Sequence, residues 1–232
     1  MRILALETAA KAVSAAITED GKVLASGFQD TGLTHSRTLM PIVECLLRNT
    51  DMTVGDLDAI AVSAGPGSFT GVRIGVSAAK GLAFAGEKPC VAVSTLAALA
   101  RNVAFMDGLI VCAMDARRQQ VYNALFEAKG GALARLTEDR AVSLADLAEE
   151  LRDDPRPKTV LGDGGQMTFD FLTAAGIACR LAPAHLVKEN AISIALEAEE
   201  LARAGKLVSA QELAPVYLRP PQAERLRMEK QG

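Results

Sequence analysis

The strongest chemical signal in this 232-residue chain is the segment 65–75, which has the sequence Gly-Pro-Gly-Ser-Phe-Thr-Gly-Val-Arg-Ile-Gly. An apolar, β-branched run at 59–64 precedes it and small residues follow it, so we predict a strand, a tight turn and a helix start. Ser68 or Thr70 is suited to cap that helix. Backbone N–H groups at a helix start bind anions well, and Gly67 and Ser68 are therefore candidates to face a nucleotide.

The spacing of this segment does not match the common phosphate-binding loops. A Walker loop ends in Gly-Lys-Ser or Gly-Lys-Thr, and a dinucleotide fingerprint would have glycine where Thr70 stands. Residue chemistry alone therefore favours a plain strand-to-helix turn and leaves phosphate binding as the alternative.

The predicted helix carries a stripe of small residues, because Gly71, Gly75 and Ala79 recur at every fourth position. Glycine inside a helix costs about 1 kcal/mol relative to alanine, so a close approach by another element must offset that cost. The stripe either packs within the chain or is reserved for a helix of a partner, and we predict the partner.

Composition and charge exclude several classes of protein. With 25 basic and 28 acidic side chains the net charge is −3, and aromatic residues make up 4% of the chain. We therefore expect no broad electrostatic or stacking surface for nucleic acid. The four cysteines are widely scattered, and we find neither a signal-peptide pattern nor an apolar run of membrane-spanning length. These features predict a reduced, cytoplasmic protein with no membrane contact.

The order of the predicted elements indicates an α/β fold built from two similar halves. Each half has a three-stranded meander followed by helix, strand, glycine-containing turn, helix, strand and helix, and an Asp20-Gly21 turn marks the first hairpin. We predict two lobes in tandem and an extended, partly flexible tail, at residues 1–104, 105–214 and 215–232. The predicted strands are 3–6, 13–17, 23–26, 59–64, 90–93, 109–114, 121–126, 133–136, 159–161 and 177–181; the predicted helices include 36–48, 96–104, 144–151 and 191–204.

An acidic residue closes the first strand of each half, Glu7 in one and Asp115 in the other. This is similar to the ribonuclease-H-like layout of actin-like ATPases, in which a nucleotide lies in the cleft between two lobes. Glu7 and Asp115 would then face each other across the cleft, as in an ATPase or small-molecule kinase. The alternative is that each residue ends a strand at the surface. The 162–165 turn and the Arg117-Arg118 pair likewise fit either a nucleotide or phosphate contact or an ordinary solvated turn.

Five landmarks, taken in order, closely resemble the TsaB family of bacterial proteins needed to make threonylcarbamoyladenosine in tRNA. They are the opening Ile-Leu-Ala-Leu-Glu-Thr, the helix start at His35, the segment 65–75, the run 114–118 and the closing Tyr217-Leu218-Arg219. The resemblance spans nearly the whole chain and implies a non-catalytic protein of the actin-like superfamily. It also implies that this protein binds and activates TsaD, the transferase that modifies the adenosine beside the anticodon in tRNAs reading codons that begin with A.

The same resemblance implies how the chain differs from that transferase. The transferase holds its metal with a His-x-x-x-His pair on its first helix, whereas here Leu39 follows His35 at that spacing. The only other histidine, His185, lies in the second half, so we predict no metal site and neither transferase nor glycoprotease activity. We predict no cofactor, although Glu7, which resembles the transferase at this position, leaves weak adenine-nucleotide binding open.

The predicted partners are TsaD in a heterodimer, the ATPase TsaE through that complex, and tRNA only through the complex. The partner surface should lie on the two main helices of the first half, and it could also form a homodimer when TsaD is scarce. On this interpretation, Gly75→Leu would abolish the complex and leave the monomer folded. The residues predicted for the surface are Leu39, Met40, Val43, Leu46, Leu47, Gly71, Val72, Gly75, Val76 and Ala79.

Overall fold

The computed structural model describes residues 1–219 and contains two sheets flanked by helices. The first sheet has the order β3-β2-β1-β4-β5, in which β1 to β3 form an antiparallel meander and β4 and β5 run parallel to β1. Its strands are β1 (Arg2–Glu7), β2 (Val13–Glu19), β3 (Lys22–Gln29), β4 (Ala59–Gly65) and β5 (Cys90–Ser94).

Helices cover both faces of the first sheet. On one face, α1 (His35–Asn49) packs on β2 and β3, and α2 (Phe69–Gly86) packs on β4. Alternate residues of β1 divide between the faces: Leu4 and Leu6 belong to the core beneath these two helices, whereas Ile3 and Ala5 belong to the core on the other face. Burial on both faces explains why the strands are apolar at nearly every position.

The second sheet has a similar order, β11-β10-β6-β7-β8. The strand β9 pairs with the N-terminal part of β7, at residues 120–123. Helices α4 (Leu144–Leu151) and α5 (Gly165–Ala174) cover one of its faces. The strands are β6 (Gly108–Asp115), β7 (Gln120–Lys129), β8 (Ala132–Arg135), β9 (Arg140–Ser143), β10 (Lys158–Leu161) and β11 (Arg180–Leu181).

The last helix of each half packs against the sheet of the other half. Helix α3 (Thr95–Arg101) lies between the two sheets and contributes to a core shared with β6 and β7. Helix α6 (Ala191–Arg203) lies on the first sheet, where Ile194, Ala195 and Ala198 cover Ile3 and Ala5. The two sheets are therefore joined by an exchange of helices as well as by the chain itself.

The structure confirms the α/β fold, the duplicated order of elements and nearly all of the predicted strands and helices. The sequence missed β9, a four-residue strand, and predicted a longer strand at 177–181 than the two residues of β11. Pro41 is the seventh residue of α1 and lies inside the helix. The flexible tail predicted for the last residues of the chain lies, from 220 onward, outside the described residues.

Candidate functional site

The turn between β4 and α2 has the form that the sequence predicts. Ser68 is the N-cap residue of α2, and its Oγ accepts a hydrogen bond from Gly71 N at 3.3 Å. The backbone N–H of Ser68 donates to Ala9 O at 2.7 Å, which ties the helix start to the β1–β2 turn. Gly65 has a φ of 121°, and a Cβ there would lie 2.3 Å from Val216 O, so the position requires glycine.

The small-residue stripe of α2 packs inside the monomer, and the prediction that it faces a partner is wrong. A Cβ on Gly71 would lie 2.1 Å from Thr8 O, and the Cβ of any side chain at Gly75 would lie 2.3 Å from Thr8 Oγ1. Thr8 Oγ1 also donates a hydrogen bond to Gly71 O at 2.8 Å. The glycines thus let α2 approach the end of β1, and Gly75→Leu would disrupt the monomer itself.

Burial corrects most of the other predicted surface residues for the same reason. The side chains of Leu39, Val43 and Leu46 point into the core beneath α1, and those of Val72, Val76 and Ala79 into the core beneath α2. Periodicity locates these apolar faces correctly but does not say what covers them. Of the predicted set, Met40 and Leu47 remain partly exposed.

Of these two, Met40 borders a groove between α1 and α2. The groove has a volume of about 510 Å³, and its floor and walls include Leu39, Met40, Ile74 and Ala78. Polar groups stand at its rim, among them Ser36, Ser77 and the guanidinium of Arg73. This is an apolar surface strip of the kind that another helix can cover.

A separate cleft of about 470 Å³ opens where the ends of β1, β4 and β6 meet. Lys11, Arg117 and Arg219 approach it from three different segments, and the carboxyls of Asp115 and Asp163 also line it. The first turn of α2 contributes Gly67, Ser68, Phe69 and Thr70. Cationic side chains next to a helix N-terminus can attract an anion, although the two carboxyls offset part of that charge.

The two predicted acids have different environments. Asp115 lies in the cleft wall, where its Oδ1 accepts a hydrogen bond from Arg117 N at 2.7 Å and its Oδ2 is 3.3 Å from Arg117 Nη1. Glu7 is completely buried, its Oε1 accepts a hydrogen bond from Ala9 N at 2.5 Å, and burial raises its pKa to about 7. Glu7 and Asp115 are therefore not two exposed carboxylates that face each other across the cleft.

Two further acids lie near Glu7, and the sequence analysis did not select them. Asp163, in the turn after β10, accepts a hydrogen bond from Asp115 N at 2.9 Å, and burial raises its pKa. Glu189 precedes α6, is 2% exposed and accepts a hydrogen bond from Asp163 N at 3.0 Å. Burial, followed by the charge of Asp163, raises the pKa of Glu189 to about 8. A lone glutamate in an irregular segment offers no sequence signal for such burial.

Residues 216–219 run across the mouth of the cleft and touch both halves. Val216 N donates to Ala64 O at 2.7 Å, and Arg219 Nη1 donates to Ala116 O at 3.1 Å. Tyr217 stacks on Phe69 with ring centroids 4.9 Å apart, and its hydroxyl accepts a hydrogen bond from Arg73 Nε at 2.8 Å. The predicted landmark Tyr217-Leu218-Arg219 therefore links the rim of the groove to the second half.

The histidine predicted at a helix start is the first residue of α1, and its Nε2 lies 2.8 Å from Ala10 O. Across residues 1–219, no three histidine, cysteine, aspartate or glutamate side chains come together in a way that could hold a metal ion. In the same part of the chain, none of the helices has the length and apolar character required to cross a membrane.

Comparison with known proteins gives a consistent family assignment. Residues 29–224 match the family model described as "TsaD: tRNA N6-adenosine threonylcarbamoyltransferase". The chain is 38% identical to the TsaB protein of Bacillus subtilis (strain 168), over the full length of both, and 34% identical to that of Escherichia coli (strain K12), over 94% of this chain and 95% of the relative. Both relatives are named as tRNA threonylcarbamoyladenosine biosynthesis proteins.

A solved structure supports the same grouping. YeaZ from Pseudomonas aeruginosa superposes with a TM-score of 0.80 at 29% identity, over 94% of this chain and 99% of that chain. This superposition, together with the two tandem sheets described above, shows that the chain has the actin-like fold. The match to the transferase family model shows that the chain is also related in sequence to the transferases themselves.

Proposed function

We propose, because the chain belongs to the TsaB family of tRNA threonylcarbamoyladenosine biosynthesis proteins, that it binds and activates the threonylcarbamoyl transferase TsaD. In this role it is a non-catalytic subunit that helps form N6-threonylcarbamoyladenosine beside the anticodon of tRNAs. The observation that carries the proposal is the 38% identity to the B. subtilis TsaB protein along the whole of both chains. The match to the transferase family model supports descent from a common fold that now serves two roles.

The groove between α1 and α2 is the surface that best fits such a partner. Met40, Ile74 and Ala78 present an apolar strip that the helices do not cover within the monomer. Methionine adapts its shape to a partner, and small side chains such as Ala78 allow a second pair of helices to come close. TsaD, as a related actin-like protein, would supply an equivalent pair of helices, so that the two proteins pack as a four-helix bundle.

The chemistry of the chain fits a subunit rather than an enzyme. Glu7 is buried and not available to hold a hydrated metal, and Asp115, in the cleft wall, is paired with Arg117. The net charge of −3 offers no general attraction for RNA, so tRNA would be engaged through the complex with TsaD. The ATPase TsaE would act through the same complex. The same groove could pair two copies of this chain in the cytoplasm when TsaD is scarce.

The test is to mix the purified chain with the TsaD-type transferase of its own host and measure binding by calorimetry. Met40→Asp places a charge in the groove and should weaken binding by about thirtyfold or more, as for a central interface residue. Phe84→Asp is the matched control, because Phe84 is an apolar residue of the same helix pair that is 79% exposed and lies away from the groove. Binding by this control should change less than about twofold.

Two results would contradict the proposal. If Met40→Asp and Phe84→Asp bind equally well, the groove is not the partner surface. If the chain alone hydrolyses ATP or transfers a threonylcarbamoyl group, and Asp115→Asn abolishes that turnover, the chain is an enzyme in its own right.

A further inference from the structure

Three acids from separate segments come together at the joint between the two sheets, where the two glutamates are buried and Asp163 borders the cleft. Glu7 ends β1 of the first sheet, Asp163 follows β10 of the second, and Glu189 lies in the segment that returns to the first sheet as α6. Glu7 is 0% exposed and Glu189 is 2% exposed. The joint therefore removes two glutamate side chains from water at the place where the halves meet.

The hydrogen bonds in this joint satisfy only one oxygen of each glutamate. Oε1 of Glu7 accepts from Ala9 N, and Oε1 of Glu189 accepts from Asp163 N. The Oε2 atoms of both residues are buried and have no hydrogen-bond partner within the described chain. An ionised carboxylate with one dry, unpaired oxygen is very unfavourable, whereas a neutral carboxylic acid loses far less on burial.

The charged groups around the joint do not supply a counter-ion to the two glutamates. The negative charge of Asp163 raises the pKa of both Glu7 and Glu189, and the charge of Glu7 also raises the pKa of Glu189. Lys11 and Arg117 act on Asp163, from the cleft side, together with the opposing charge of Asp115. Lys188, next to Glu189 in sequence, is paired with Asp30. A metal ion is not an alternative, because no three donors among residues 1–219 are arranged to hold one.

We propose that Glu7 and Glu189 form a proton-binding site in which each glutamate is held as a neutral carboxylic acid, and that these two protons lock the joint between the sheets. Removing the protons places two like charges in the dry joint and weakens the contact between the halves. The site would make the folding of this chain depend on pH above the range in which exposed carboxyls titrate.

The direction of the pH dependence follows from linkage. Burial raises the pKa of Glu7 to about 7 and that of Glu189 to about 8, from a value of 4.5 for each. Between those values the folded chain binds more protons than the unfolded chain, so the stabilising effect is complete at low pH and is lost as the pH rises through 7 and 8. Carboxyls with lowered pKa values, such as Asp154 at about 2, act only in strongly acidic solution.

The experiment is urea unfolding of the full chain at a series of pH values from about 5.5 to 8.5. For each glutamate that is neutral in the folded chain, the folding equilibrium constant should fall about tenfold for every pH unit between the pKa of the unfolded chain and that of the folded chain. Glu189→Gln and Glu7→Gln keep the accepting oxygen and replace the protonated one with an uncharged amide. Each variant should lose one such tenfold dependence and should equal or exceed the wild type in stability near the top of the range. Glu44→Gln, at an exposed position of α1, is the control and should retain the full dependence.

The proposal is wrong if both buried variants keep the pH dependence of the wild type, or if they lose as much stability at high pH as at low pH. A second measurement covers the case in which the variants do not fold. In the wild-type chain labelled with ¹³C-glutamate, two carboxyl resonances should titrate near neutral pH, well above the others. If every glutamate carboxyl of the folded chain titrates in the acidic range, no such protons are held.

Discussion

The first turn of each half joins two antiparallel strands, yet the two turns are held in opposite ways. The β1–β2 turn, residues 8–12, is buried except at Lys11 and is fixed by contacts with the start of α2 and with His35. The β6–β7 turn is exposed from Arg117 to Gln119, and those three residues have φ values of 67°, 55° and 56°. Positive φ is unfavourable for residues with side chains, so the second turn is strained where the first is clamped.

The glycines that follow β4 in the first half and β10 in the second explain this difference. In the first half, Gly67 and Gly71 lie against the turn itself, at Ala9 O and Thr8 O. In the second half, Gly162 and Gly164 contact the strand before the turn, at Ala113 O and Asp115 N. Both halves of the duplicated fold thus have glycine at this place, but it clamps a turn in only one of them. Substitutions in the two turns should therefore have different costs.

The largest effect should come from filling the contact at Gly71. Gly71→Ala places a Cβ 2.1 Å from a backbone oxygen, so α2 must move away from Thr8, and we expect a loss of about 3 kcal/mol or more in the free energy of unfolding. Gly165→Ala is the matched control in the second half, because its Cβ would have ordinary contacts at 3.6 Å. Urea unfolding of both variants tests this, and equal stability of the two would contradict the clamp.

A smaller loss should follow from removing the hydrogen bond of the same clamp. Thr8→Val keeps the side-chain shape but removes the Oγ1 donor to Gly71 O in a fully buried contact, at an expected cost of about 1–3 kcal/mol. Thr70→Val, at an exposed position on the first turn of α2, should change stability by less than about 0.5 kcal/mol. Thermal unfolding distinguishes them, and a neutral Thr8→Val would show that the glycines alone hold the turn.

In the second half, Asp115 should matter less because its contacts are partly exposed. Asp115→Ala removes the hydrogen bond to Arg117 N and an ion pair whose arginine is 78% exposed, and we expect a loss of about 1 kcal/mol. The ion-pair part of this loss should shrink in high salt, which a comparison with Asp115→Asn would isolate. A loss as large as that of Gly71→Ala would remove the distinction between the two turns.

The smallest effect should have the opposite sign in the two turns. Gln119→Gly relieves a φ of 56° and should stabilise the chain by about 0.5–1 kcal/mol. Lys11→Gly, in the clamped turn with ordinary φ, should destabilise it by a similar amount, because glycine gains freedom only in the unfolded state. Differential scanning calorimetry can resolve both changes, and a shared sign would show that backbone strain is not what separates the turns.

Much of the fold was predictable because its signals are local. The Asp20-Gly21 turn and the apolar runs around it predict the first hairpin, and Ser68 predicts the start of α2. The strand β9 lacks such a signal, since four half-buried residues are too few to show an alternating pattern. Helix α6 was predicted with nearly correct bounds, but its periodicity did not reveal that it packs on the first sheet.

The candidate site was less predictable, because it depends on contacts between distant residues. The stripe of Gly71 and Gly75 correctly indicates a close approach, but nothing in its spacing tells an internal neighbour from an external one. The buried carboxyl of Glu189 escaped notice because its burial depends on segments brought together from both halves. Sequence patterns therefore located the packing faces of the helices in the first half, but they did not identify the elements that cover those faces.

The place of α6 also determines the order in which the chain can mature on the ribosome. Alternate residues of β1 and β4, including Ile3, Ala5 and Ala61, form an apolar surface that is covered mainly by the helix at Ala191–Arg203. All strands of that sheet leave the ribosome about 100 residues before this helix does. One apolar face of the sheet therefore stays largely uncovered during most of the remaining translation. We expect a fragment that stops after the first half to keep most of this surface exposed and to aggregate, and the nascent chain to bind chaperones that recognise apolar strands.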